Sequence, residues 1–66
     1  MKHTIRCSEQ HRRAMLLAFK RQHVRHHDSG ATIVVDVNPL TIQAALRLPF
    51  RIVGGGYNHD CEGGLS

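Results

Sequence analysis

The sequence predicts a small α/β (or α+β) domain of order β-α-β-α-(β). A two- to three-stranded sheet would be packed by a long basic helix and a short apolar one. Three observations carry this. Ser8 to His27 has a helix-like start and an apolar cluster at helical spacing. Ala31 to Val37 is rich in β-branched residues and nearly continuously apolar, as a central strand is. Asn38-Pro39 then combines a strong N-cap with the residue favoured at the first helical position.

Met1 to Cys7 alternates Lys2, Thr4 and Arg6 with His3, Ile5 and Cys7, the period of a one-sided or edge strand. Ser8 can accept from a free amide of the following helix, and Glu9 suits its positive end. Gly30 is read as the stop. At about 100° per residue, Arg12, Arg13, Lys20, His23 and His27 fall on one stripe that Leu16 interrupts. Ala14, Met15, Leu17, Ala18, Phe19 and Val24 take most of the remaining circumference, with Arg21 and Arg25 among them. The expectation is axial: the half from Ala14 to Phe19 enters a core, and the half from Lys20 to His27 runs into water. Strand, helix and strand in succession suggest a βαβ crossover, with an antiparallel arrangement as the alternative.

In the second helix, Leu40, Ile42, Ala44, Ala45 and Leu46 surround the axis, and Pro49 ends it. Leu40, Ile42, Leu46 and Leu48 form a candidate apolar interface, because they exceed what so small a core readily covers. Phe50 to Val53 suits a short third strand. The compact domain is expected to span 1–53. Gly54-Gly55-Gly56 then reads as a flexible linker to a polar tail through residue 66, mobile unless His59 and Cys61 are tied down.

With 66 residues, the chain is one domain at most. Such a chain buries only roughly 60% of its unfolded surface, so a partner, metal, disulfide or self-association could add stability. The apolar content of 41% suits a globular domain and exceeds that of simple disorder. No apolar run is long enough for a membrane span and no signal-peptide core opens the chain, so the expected location is cytoplasmic.

Net charge is +4 and pI about 9.8. No acidic residue separates Glu9 from Asp28, while Arg12, Arg13, Lys20, Arg21 and Arg25 lie between them with four histidines. Arg12, Arg13, Lys20, Arg21, His23, Arg25 and His27 are therefore candidate contacts to nucleic acid or an acidic protein surface. The bland alternative is a solvated helix end whose cations complement the dipole. His23 stands at helical spacing from His26 and His27, which could bind metal or respond to pH, or simply extend the basic patch.

Cys7, His11, His59 and Cys61 have the chemistry of a tetrahedral zinc set, but their spacing is not that of a standard finger. Free thiols are the simpler reading and no cofactor is expected. A Cys7–Cys61 disulfide would need an oxidising setting. Catalysis has little to build on. Asp36 and Asn58-His59-Asp60 lack named partners, and the glycine run precedes no helix that could hold a phosphate. Stacking aromatics are few, so nucleic-acid binding would rest on backbone contact.

The opening Ile5-Arg6-Cys7-Ser8, the basic helix and Ile33-Val34-Val35 resemble the start of the phage NinB recombination proteins, which bind single-stranded DNA. The likeness covers about half the chain. Thr41-Ile42-Gln43-Ala44-Ala45 departs from the polar and aromatic residues it implies there, and the chain is not assigned to that family.

The function expected is a small non-enzymatic protein using a basic helix to contact an anionic partner, with nucleic acid preferred. The alternative is a small inhibitor or accessory factor, of the size common among phage and mobile-element proteins. It would dock on an acidic surface of a larger assembly, and self-association through the apolar helix would fit either reading.

Overall fold

The computed structural model describes residues 1–63 of the chain. Five strands and two helices follow in the order β1 (His3–Arg6), α1 (Glu9–Arg21), β2 (His26–Asp28), β3 (Thr32–Val35), α2 (Pro39–Leu46), β4 (Arg51–Val53) and β5 (Asn58–Glu62). The strands form one mixed sheet of order β2-β3-β1-β5-β4. The class is α+β, and the sheet is larger than the two or three strands expected.

The chain from β1 to β4 runs β-α-β-β-α-β, the order of a split βαβ arrangement. The crossover from β1 through α1 lands on β2. The hairpin then returns β3 between them, antiparallel to both. The strand Ala31 to Val37 is therefore not the parallel partner of β1. It narrows to Thr32–Val35, in the antiparallel arrangement left open as the alternative.

Strand alternation sorts the sheet into two faces. Ile5, Ile33, Val35 and Ile52 are buried on the inner face, with His3 and His59. Met15, Ala18 and Phe19 of α1 and Leu46 of α2 join those apolar residues in one core, so both helices cover the same face. Thr4, Arg6, Asn58 and Asp60 alternate with the inward residues and face away from the helices.

The largest correction concerns the C-terminal stretch. Asn58–Glu62 belongs to the sheet, paired parallel to β1 and antiparallel to β4. The glycine run is the turn that permits this. Gly54 has φ 116°, and a Cβ there would come within 2.7 Å of the Asn58 carbonyl oxygen. Tyr57 extends the link by accepting from the Thr4 amide at 2.8 Å. Residues 64–66 of the expected tail lie outside the described residues.

At the β4 edge of the sheet, the Ile52 amide donates to the Gln43 side chain of α2. That satisfies an edge amide that another strand would otherwise seek. Among the described residues, no helix is long and apolar enough to cross a membrane.

Candidate nucleic-acid interface

Helix α1 carries most of the candidate residues, and its ends decide where they point. Ser8 caps it as expected, its hydroxyl accepting from the His11 amide at 3.3 Å. The helix does not continue to His27. The His23 amide donates to the Lys20 carbonyl at 3.2 Å and the Val24 amide to that of Phe19 at 2.8 Å. This is the paired bonding of a Schellman stop. His23 takes the left-handed position usually held by glycine, with φ 57°. Val24 is half-buried against the core, an apolar contact that fixes the stop.

Gly30, at φ 83°, instead serves the β2–β3 turn, where its amide donates to Asp28 Oδ1 at 3.0 Å. Lys20 and Arg21 thus occupy the last turn of α1, beside its negative end.

The expected stripe is consequently broken up. Arg13 and Lys20 are exposed on α1. Arg12 meets Asp28 at 2.6 Å in a partly exposed ion pair, so its charge is matched locally. Strong Gly30 and Arg12 hydrogen bonding holds the Asp28 carboxyl below its usual range, the Gly30 amide first. His23 and Arg25 lie in the turn after α1, and His27 lies on β2. Its register partner is Val34, so it faces away from the helices. His26 points the other way, with its ring 5.5 Å from that of Phe19. The histidines therefore do not share the surface that helical spacing suggested.

Arg21 reaches across to α2 and donates to the Leu46 carbonyl at 3.2 Å. This satisfies a carbonyl at the end of α2 and brings Arg21 beside Arg47. Arg47 is exposed, in left-handed conformation at φ 50°. Arg21, Gln22, Ala44, Ala45 and Arg47 line a shallow groove between the helix ends. Arg47 was absent from the sequence-derived candidates. The signal available was the lack of any acidic residue between Asp36 and Asp60; its meeting with Arg21 required the fold.

Charge separates by layer. Arg12, Arg13, Lys20 and Arg21 of α1 and Arg47 at the cap of α2 face Glu9 as the one acid, leaving four positive charges. Lys2, Arg6, Arg25 and Arg51, on strands and loops, are matched in number by Asp28, Asp36, Asp60 and Glu62. Counted by element, the formal excess of +4 falls on the helices; with Arg12 and Asp28 taken as a pair between the layers, the helices keep +3 and the strands and loops +1.

The apolar candidates also divide. Leu46 is fully buried and belongs to the core rather than to an interface. Ile42 and Leu48 are half-buried against that core, whereas Leu40 is 38% exposed. Leu17, at 63% exposed, stands one helical turn from Arg13, Lys20 and Arg21.

The four candidate zinc ligands do not gather at one point. His11 stacks on Phe50, and His59 is buried against His3, with His3 Nδ1 and His59 Nε2 2.9 Å apart. Cys7 and Cys61 are free thiols. Among the described residues, no three His, Cys, Asp or Glu side chains gather as a metal site. Asp60 lies on the sheet face opposite His59, and Asp36 is exposed.

Burial, followed by the nearby His3, lowers the affinity of His59 for a proton. Below the ordinary value of 6.5, the unfolded state takes up a proton at this residue that the native state resists. Stability contributed here is present at neutral pH and lost as pH falls. The denaturation midpoint should decline as pH falls through 6.5, and less so in His59→Phe. Equal pH dependence of the two proteins would assign the decline elsewhere.

The fold and charge distribution define a two-layer α+β protein with a basic helical layer. No known protein family, curated protein or solved structure matches the chain.

Proposed function

We propose that this is a small cytoplasmic, non-enzymatic binding protein whose helical layer contacts nucleic acid. The observation that carries the reading is the location of most of the net positive charge on that layer. Arg13, Lys20, Arg21 and Arg47 are its exposed cations; Arg12 is partly matched by Asp28. They would neutralise phosphates and release counterions, giving affinity with little sequence preference. The opposite sheet face presents Thr4, Arg6, His27, Asn58 and Asp60, of which His27 alone offers a ring to a stacked base.

Fluorescence anisotropy with single- and double-stranded oligonucleotides over a salt series tests this reading. If all four exposed cations engage phosphate, log K should fall against log salt with a slope of about −3 to −4. No binding at low salt would reject nucleic acid as the partner. The second reading, a small inhibitor or accessory factor, draws support from exposed Leu17 amid the same cations. Such docking would bury apolar surface and depend less on salt.

A further inference from the structure

The last register pair between β1 and β5 is Arg6 with Asp60. One step further along these parallel strands sets Cys7 opposite Cys61. Both continue the inward-facing rows, after Ile5 and His59 respectively, and both are half-buried against the core. Neighbouring strands lie about 4.8 Å apart, within the Cα separation a disulfide spans. Cys7 stands between the end of β1 and the cap of α1, outside regular pairing, and can adjust its backbone.

We propose that Cys7 and Cys61 form a reversible disulfide site, oxidised by low-molecular-weight disulfides of the oxidised-glutathione class. The bond would tie the N-terminal strand to the C-terminal one, locking the parallel pair at the middle of the sheet.

The arrangement assigns the two sulfurs different tasks. The neighbouring Cys61 holds the Cys7 thiol below its ordinary value despite burial; Cys61 is pushed up in turn. Cys7, past the end of β1, is freer to move than Cys61 within β5 and is assigned as the attacking group. Its thiolate attacks one sulfur of the small disulfide, forms a mixed disulfide and expels one small thiolate. Cys61 then loses its proton and attacks the Cys7 sulfur, expelling the second small thiolate. Two protein thiols become one disulfide, one small disulfide becomes two thiols, and the protons pass to the leaving thiolates.

The test is to incubate the full chain with oxidised glutathione and follow its intact mass. The wild type should lose two hydrogens without retaining an adduct, faster when folded than in denaturant. Its melting temperature should rise by on the order of 10 °C and return after reduction. Cys61→Ser should stop at a single glutathione adduct on Cys7, with the fold checked by circular dichroism. A stable wild-type adduct, a disulfide-linked dimer, or no faster closure in the folded chain would overturn the proposal.

Discussion

Arg13→Glu together with Lys20→Glu is expected to reduce oligonucleotide affinity by on the order of 100-fold at low salt while the protein remains folded. Both side chains are exposed. The double variant removes two cations from the helical layer and places two anions in their stead. Its cost to the fold is small. The carboxylate introduced in place of Arg13 would repel Glu9 one turn away, at about 0.2–0.5 kcal/mol. The one introduced in place of Lys20 would oppose the α1 dipole, at about 0.3–1 kcal/mol. Arg21 is a poorer first choice, because its loss also leaves the Leu46 carbonyl without this donor. Substituting Arg12 would release Asp28. A folded double variant that binds as tightly as wild type, in parallel anisotropy titrations, would remove the helical layer from the interface.

Ending the chain after Val53 is expected to abolish cooperative folding. A domain of this size has a total stability of only about 3–10 kcal/mol. Removing β5 deprives both β1 and β4 of a neighbour and uncovers one side of Ile5 and Ile52. It also leaves His3 without His59. Thermal denaturation by circular dichroism should show no sigmoidal transition in residues 1–53, in contrast to the full chain. A cooperative transition in the truncated chain would mean that 1–53 is self-sufficient, as the sequence suggested.

The parts of the fold that were legible depend on local chemistry. Ser8 and Asn38 cap their helices through side-chain oxygen, and the β-branched run places Ile33 and Val35 in the core. The end of α1 was obscured because His23 holds a position where glycine is the usual marker, while Gly30 marks a different turn. Short β2 has only His26, His27 and Asp28, so no apolar alternation announces it. In β5, the inward positions are His59 and Cys61, and a buried histidine reads locally as a polar tail residue. Its burial follows from long-range pairing with His3 and β1. The basic candidates Arg13, Lys20 and Arg21 were visible by charge alone. Their association with Arg47 depends on how α1 and α2 meet.

The location of the binding surface can be measured directly by titrating isotopically labelled protein with an unlabelled oligonucleotide and following its amide resonances. The largest shifts and broadening are expected on α1 from Arg13 to Arg21 and at Arg47, weakening with added salt. Changes centred instead on Thr4, Arg6, His27 and Asn58 would place the nucleic acid on the uncovered sheet and contradict the assignment of the helical layer.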